Sequence, residues 1–214
     1  DFAALKLANL YKQQNDWLQA VSMYERIHKH KELYSMEVAH LYCELAEQSI
    51  HDSNLTQAIF WSDQALNICP EIARAHLIKA FIALQSNNYA EVINQLSLIS
   101  ERQPSLIALI IPIAYQAMTI ENNQLFYVWL EKTIEKHQSF FYLKIWKTHF
   151  LVLNQSIDHA ITYLKSALEH TKNLQGITLL NHLSALKKNQ NHELFMLYHT
   201  TFQQAIDYYA QFRC

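Results

Sequence analysis

Apolar side chains recur along this chain with the spacing of helices, and the pattern itself returns at a fixed longer period. Stepping forward by 34 from Ala58 meets apolar residues at Val92, Phe126, Ala160 and Leu194. Small residues form a parallel series twelve positions before Ala58, Val92, Phe126 and Ala160. This series is Ala46, Ala80, Ala114 and Thr148. A fixed period of this length predicts one pair of helices per repeat, with a small residue that allows the two helices to pack closely.

Polar residues separate the apolar segments in the middle of each unit. These polar pairs are Asn15-Asp16, Ser53-Asn54, Asn87-Asn88, Glu121-Asn122, Gln155-Ser156 and Asn189-Gln190. Asparagine tolerates the left-handed backbone conformation that ends many helices, so such turns do not need glycine. Each unit is therefore predicted to form a first helix, called A, a polar turn, and a second helix, called B.

The pattern predicts an all-α chain that forms a right-handed α-solenoid of helical hairpins, of the tetratricopeptide-repeat type. We expect one repeat domain over residues 1–213, with units at roughly 1–34, 39–72, 73–106, 107–140, 141–174 and 175–208. The offset between the first two units is longer than the period, so four additional residues lie near the stretch "HKHKEL". An irregular helical bundle is the alternative, but it gives no reason for a constant register.

Composition argues against several classes of protein. The 214 residues carry a formal net charge of −2, so there is no basic signature of nucleic-acid binding. Three cysteines are too few and too scattered for a disulfide framework, and a reducing compartment is expected. One glycine in the whole chain leaves no material for a phosphate-binding loop. The longest apolar run, residues 106–115, is about half of the roughly 20 residues that a membrane span needs.

Pro112 lies inside the predicted A helix of the fourth unit. Proline has no backbone N–H, so it cannot donate to the carbonyl of Ala108, and its ring crowds the preceding turn. A kink or a local opening of the helix is therefore expected near this residue.

Candidate catalytic and metal-binding residues are few. Most of the twelve histidines lie at turns or beside polar residues, which favours solvated surface positions. His40 and Cys43 are three residues apart on one predicted helix, a spacing compatible with two metal ligands or with ordinary helix packing. Neither a second such pair nor a nucleophile motif or carboxylate pair accompanies them. We therefore expect a protein that is not an enzyme, and no cofactor, metal or disulfide in this chain.

The A helices of the predicted solenoid supply a candidate partner-binding groove. In this register the inward positions are mainly apolar or aromatic, with a few polar groups among them. The groove residues are Arg74, Leu77, Phe81, Ile111, Tyr115, Tyr142, Ile145 and His149. Such a surface suits a hydrophobic segment or helix of a partner better than an acidic peptide. The alternative is a tightly wound solenoid that closes the groove on itself.

Two stretches in the first third of the chain resemble a known family. The stretch "EVAHLYCELA", residues 37–46, and the preceding "LANLYKQQNDWLQAVSMYERI", with Trp17 and Ala20, are similar to adjoining repeats of the lipopolysaccharide assembly protein B family. The final triplet "FRC" resembles the aromatic-Arg-Cys triplet that opens this family's rubredoxin-like ribbon of two Cys-x-x-Cys pairs. The resemblance implies that Cys214 is the first cysteine of a zinc or iron site whose other ligands lie outside this chain.

The resemblance also implies a location and a function. Family members carry an N-terminal membrane helix, which would hold this region on the cytoplasmic face of the bacterial inner membrane. They are non-enzymatic adaptors that restrain lipopolysaccharide synthesis, because they promote degradation of the committed-step deacetylase by a membrane-bound ATP-dependent metalloprotease. The expected partners are that protease, that deacetylase or other proteins of the pathway, with no nucleic acid and no direct membrane contact by these repeats. The sequence is compatible with a homo-oligomer as well as with a monomer.

A generic peptide- or helix-binding tetratricopeptide scaffold is the main alternative function. The absence of any further Cys-x-x-Cys after Cys214 in the complete protein would favour it. An enzyme, the third hypothesis, would need a polar pocket with converging titratable groups in place of an apolar groove.

Overall fold

The fold is given by a computed structural model that describes residues 1–27, 31–116, 123–154, 156–169, 171–189 and 192–211. Within these ranges all regular structure is helical, which confirms the prediction of an all-α chain. The α-helices are α1 (Phe2–Gln13), α2 (Trp17–Glu25), α3 (Ser35–His51), α4 (Leu55–Ile68), α5 (Ala73–Gln85), α6 (Tyr89–Arg102), α7 (Ile107–Gln116), α8 (Asn123–Lys136), α9 (Phe141–Asn154), α10 (Ile157–Leu168), α11 (Leu174–Asn189) and α12 (His192–Gln211). Two short 3-10 helices, η1 (Lys31–Tyr34) and η2 (Pro104–Leu106), precede α3 and α7.

The chain divides into two compact units, Asp1–Pro104 and Ser105–Cys214. In the first unit α1 packs on α2, α3 on α4 and α5 on α6, and each of α2 and α4 also packs on the helix that follows it. Its fully buried residues include the recurring Ala46, Ala58 and Ala80, and also Ala8 and Ala20. The small residues of the repeat therefore lie in the core of this unit.

In the second unit, α8 packs on α9, α9 on α10, α10 on α11 and α11 on α12. The recurring small residues Ala114, Thr148 and Ala160 are fully buried here as well. The hydroxyl of Thr148 donates to the carbonyl of Lys144 at 2.8 Å, so this polar group is satisfied inside the core. The last helix, α12, also contacts α9 and α7, a packing that the repeat pattern did not predict.

The turns inside the first three helix pairs share one geometry. Each contains a residue with positive φ, namely Asn15 at 59°, Ser53 at 59° and Asn87 at 54°. The next residue donates its N–H to the carbonyl five positions back, at 2.9 Å from Asp16 and at 2.8 Å from Asn54 and from Asn88. This is the hydrogen bond of a Schellman motif, which satisfies a carbonyl at the end of the A helix. The predicted left-handed turns are confirmed at these three sites.

The same polar residues also begin the B helices. The side chains of Asp16, Asn54 and Asn88 accept hydrogen bonds from the backbone N–H three residues later. Ser156 caps α10 in the same way, by accepting from the N–H of His159 at 3.2 Å. The other predicted turns, at Glu121-Asn122, Gln155-Ser156 and Asn189-Gln190, fall wholly or partly outside the described residues.

The A helices keep the predicted period in the middle of the chain. The helices α5, α7 and α9 begin at Ala73, Ile107 and Phe141, so the two intervals between their starts are equal and match the period of the sequence. By contrast, α3 begins at Ser35, four residues before the predicted start of its unit, and has 17 residues where α5 has 13. The four additional residues, 35–38, therefore extend α3 by about one turn at its N-terminus, and η1 lies directly before them.

The helix α7 continues through Pro112 without an interruption between Ile107 and Gln116. Met118, which belongs to the segment in which we expect distortion, lies outside the described residues. The kink expected at Pro112 stays a prediction.

Candidate partner-binding surface

Arg74, in the first turn of α5, is engaged by two carboxylates of α3. Its Nε and Nη2 atoms donate to the two carboxylate oxygens of Glu47, each at 2.7 Å, and Nη1 donates to Oε1 of Glu44 at 2.7 Å. These bonds, first of all those with Glu47, raise the pKa of the guanidinium above its ordinary value. Because these bonds use N–H donors along the edge of the guanidinium, Arg74 joins α3 to α5 and leaves little of its charge for an acidic partner.

Leu77 and Phe81 continue the same face of α5 toward its C-terminus. Leu77 is half-buried. Phe81, one helical turn after Leu77, is 44% exposed, so part of its side chain contacts solvent. Exposed aromatic rings contribute a large contact area at small entropic cost when a partner covers them. The part of the predicted groove that belongs to the first unit is therefore open to a partner.

The predicted groove residues of the second unit lie mostly inside its core. Ile111 and Ile145 are fully buried, and Tyr142 and His149 are 5% and 3% exposed. Tyr115 is half-buried, with its ring 5.1 Å from that of Trp146. Their positions agree with an inward-facing row, but in this unit the row is covered.

His149 lies at the centre of this covered row. Its Nδ1 is 3.0 Å from the hydroxyl of Tyr198 and its Nε2 is 3.4 Å from the hydroxyl of Tyr115. Burial and, to a lesser extent, the neighbouring His199 lower the pKa of His149 to about 3. A neutral imidazole has one N–H donor and one acceptor nitrogen, so the two hydroxyls satisfy it from both sides. His149 is therefore a neutral hydrogen-bonding group of the core and carries no charge for a partner at neutral pH.

The cover over this row comes from α12. The ring of Phe202 stacks on that of His149 with centroids 3.8 Å apart and planes 11° apart. Phe202 also meets Trp146 edge to face at 5.2 Å. Tyr198, Phe202 and Ala205 are all buried, at the helical spacing of an apolar stripe. A helix of the chain itself thus occupies the A-helix face of the second unit.

These placements separate two parts of the predicted groove. Arg74, Leu77 and Phe81 share one accessible face of α5, whereas Ile111, Tyr142, Ile145 and His149 are buried, with α12 packed on His149. Partner binding by either set stays a prediction. The sequence carries one signal for this cover, since α12 has 20 residues and is longer than each of α7 to α11.

The possible metal ligands do not converge among the described residues. Cys43 is fully buried and burial raises the pKa of its thiol to about 12, whereas His40, one turn away, is exposed. A thiol held in its protonated form is a poor metal ligand, and in the described ranges no group of three His, Cys, Asp or Glu side chains could hold an ion. Cys214, expected to open a metal ribbon, lies outside these ranges.

A cavity that the sequence did not indicate lies elsewhere in the first unit. Its lining includes three tyrosines, Tyr24, Tyr34 and Tyr42, from three consecutive helical elements. The signal that could have located it is the four-residue excess near "HKHKEL", because Tyr34 belongs to the element directly before the extended start of α3.

In the part of the chain that the structure describes, no helix combines the length and apolarity that a bilayer crossing demands.

Three curated proteins are similar to this chain. Over 134 residues it is 25% identical to lipopolysaccharide assembly protein B of Escherichia coli strain K12, and the same values hold for strains O6:H1 and O157:H7. The similarity covers 62% of this chain and 32% of each relative, so the chain spans about a third of the curated proteins it matches. No protein-family model matches it. The similarity indicates a distant relationship to a protein named for assembly and not for a catalytic activity.

Proposed function

We propose that this chain is the helical-repeat region of a non-enzymatic adaptor in lipopolysaccharide assembly. The observation that carries the proposal is the similarity to lipopolysaccharide assembly protein B over 134 residues. The equal intervals between the starts of α5, α7 and α9 support a tetratricopeptide-type α-solenoid as its architecture.

The proposed mechanism is recruitment. The adaptor holds the committed-step deacetylase of lipopolysaccharide synthesis near a membrane-bound ATP-dependent metalloprotease, at the cytoplasmic face of the inner membrane. Leu77 and the exposed ring of Phe81 offer a contact for an apolar segment of a partner. Cys214 would be the first ligand of a zinc or iron ribbon in the complete protein, and a membrane helix before this chain would supply the anchor.

Protein turnover in the native bacterium tests this function. The half-life of the deacetylase is followed after synthesis is stopped, in cells with the intact gene, with the gene deleted, and with the gene restored. We expect the half-life to lengthen several-fold on deletion and to return to its original value on restoration. An unchanged half-life in the deletion strain would exclude the adaptor role in proteolysis.

A general helix-binding scaffold is the second candidate function. The observation that favours it is α12, whose apolar stripe packs against α9 and α7 and so occupies the A-helix face of the second unit. A surface of this kind accepts an amphipathic helix irrespective of the pathway to which that helix belongs. Loss of the gene would then leave the deacetylase half-life unchanged while the protein still retained a helical partner in purified form.

A further inference from the structure

The tyrosine-lined cavity of the first unit lies apart from the predicted groove residues. It has a volume of about 150 Å³. Its walls come from the end of α2, from η1, from α3 and from the end of α4: Tyr24, Glu25, Tyr34, Val38, Tyr42 and Ile68. A cavity of roughly this size admits a group as large as benzene. The cavity can therefore hold one side chain or one small molecule.

One wall of the cavity comes from the residues that interrupt the repeat. Tyr34 is the last residue of η1, and its ring centroid lies 5.6 Å from that of Tyr24, with 40° between the planes. The hydroxyl of Ser35 donates to the carbonyl of Glu32 at 2.8 Å and so fixes the passage from η1 into α3. The element η1 thus adds an aromatic wall between α2 and α3.

Two of the three rings are held in place by their surroundings. Tyr24 and Tyr42 are 5% and 8% exposed. Trp61 stacks on Tyr42 with centroids 5.6 Å apart and planes 20° apart, which restrains that ring further. Side chains that are already ordered lose little conformational freedom when a ligand binds. The cavity is therefore preorganised.

The polar groups around the cavity have no hydrogen-bonding partners in the described part of the chain. There, the hydroxyls of Tyr24, Tyr34 and Tyr42 make no hydrogen bond, and the carboxylate of Glu25 makes neither a hydrogen bond nor an ion pair. The hydroxyl of a largely buried tyrosine usually has a hydrogen-bonding partner. Because these three hydroxyls have none among the described residues, they are available to a ligand.

Within the described ranges, the lining of the cavity contains one charged side chain, that of Glu25. Lys12, whose charge acts on Tyr24, forms an ion pair with Glu37. The charge of Glu25 acts on Tyr42, whose pKa is raised by burial and, to a lesser extent, by this carboxylate. Lys12 and Glu37 neutralise each other, and Glu25 is the carboxylate of the lining that makes no ion pair among the described residues.

We propose that this cavity binds an alkylammonium group, the chemistry shared by a lysine side chain and a free primary amine. The faces of tyrosine rings attract cations, most strongly when the cation is desolvated. Phenol and carboxylate oxygens accept hydrogen bonds from the three N–H donors of an ammonium group. Val38 and Ile68 supply apolar contact for the alkyl chain. A neutral ligand of the same size would lack the electrostatic attraction to the tyrosine rings and to the carboxylate.

The test is a titration of the whole chain with n-butylammonium chloride, followed by NMR of the tyrosine rings at constant ionic strength. The control ligand is 1-butanol, which has the same alkyl chain as n-butylammonium but no charge. We expect saturable shifts of Tyr34 and Tyr42 resonances in the millimolar range for the cation, as befits so small a ligand, and at least several-fold weaker binding of the alcohol. Equal binding of both ligands, or no saturation with the cation, would overturn the proposal.

Two variants identify the residues responsible. Tyr34→Leu keeps apolar volume but removes the ring, and Glu25→Gln removes the charge from an exposed side chain. Each is expected to weaken n-butylammonium binding roughly three- to tenfold. The matched control is Glu71→Gln, an exposed carboxylate of the same unit that does not line the cavity. Unchanged binding in both folded cavity variants would contradict the assignment.

A second ligand separates the two sources of the ammonium group. Nα-acetyl-lysine methylamide presents the same butylammonium chain on a peptide backbone. Tighter binding than n-butylammonium indicates a lysine of a protein segment, whereas weaker binding indicates a free amine. This outcome does not depend on the role in lipopolysaccharide assembly, so the cavity and the adaptor function can fail separately.

Discussion

The hydroxyl of Tyr142 donates a hydrogen bond to the backbone carbonyl of Ala108 at 2.9 Å. In a regular α-helix this carbonyl would accept from the N–H of residue 112, which Pro112 lacks. Tyr142 and Ala108 lie one period apart, at equivalent positions of consecutive A helices. The helix α9 therefore supplies the donor that α7 cannot, and a residue expected to bind a partner stabilises the fold.

Removal of this hydroxyl should destabilise the protein. We expect Tyr142→Phe to lower the free energy of unfolding by about 1–2 kcal/mol, because a buried carbonyl loses its donor. Denaturant unfolding of the whole chain measures the change. The matched background is Pro112→Ala, which restores a backbone N–H to α7. In that background the effect of Tyr142→Phe should shrink, and an equal effect in both backgrounds would refute the proposed compensation.

The sequence predicted local structure more completely than it predicted long-range packing. The left-handed residues Asn15, Ser53 and Asn87 could be located because the conformational preferences of asparagine and of polar turns are local. The starts of α5, α7 and α9 followed from the period, because each hairpin packs against its neighbours in the same way. Sequence alone indicated only that Pro112 leaves a carbonyl without a donor, and not which side chain would supply one.

Burial of His149 should make stability depend on pH. Its folded-state pKa, lowered to about 3, lies below its ordinary value of 6.5, so the unfolded chain binds more protons between these values. The unfolding free energy should therefore be at its full value above pH 6.5 and should fall as the pH decreases toward 3, by at most about 1.4 kcal/mol per pH unit from this group.

The neighbours of His149 determine the control. His199 also has its pKa lowered by burial, so the measurement compares the wild type with His149→Gln at pH 7, 6 and 5. The wild type should lose more stability over this range than the variant. As a second readout, NMR should find the His149 imidazole neutral at pH 5, and a protonated ring in the folded protein would contradict the account.

Substitutions of two neighbouring turn residues should change the stability of the protein in opposite directions. Ser53→Gly relieves the positive φ of 59° and should stabilise the chain by up to about 1 kcal/mol. Asn54→Ala removes the side-chain acceptor for the N–H of Gln57 and should destabilise it by about 1 kcal/mol. Thermal unfolding of both variants measures the signs. Two changes of the same sign would argue against the turn geometry described above.

The contacts of α12 with α9 and the tyrosine cavity could not be obtained from the repeat. A period describes what each hairpin shares with the next one. The stacking of Phe202 on His149 instead joins helices of different hairpins, and this contact has no equivalent in the described parts of the other repeats. Tyr34 belongs to η1, which lies beside the residues that break the period. Both features depend on side-chain packing over long sequence separations, which a single sequence does not specify.

The accessible ring of Phe81 gives the most direct test of the adaptor account. The measurement is the affinity of the purified chain for the committed-step deacetylase of the same organism, for the wild type, for Phe81→Ala and for the exposed control Lys165→Ala. We expect Phe81→Ala to weaken binding by roughly 1–4 kcal/mol while Lys165→Ala leaves it unchanged. Because Phe81 is 44% exposed, its loss should reduce stability less than Leu130→Ala in the core. Wild-type affinity in a folded Phe81→Ala protein would contradict the proposed partner surface on α5.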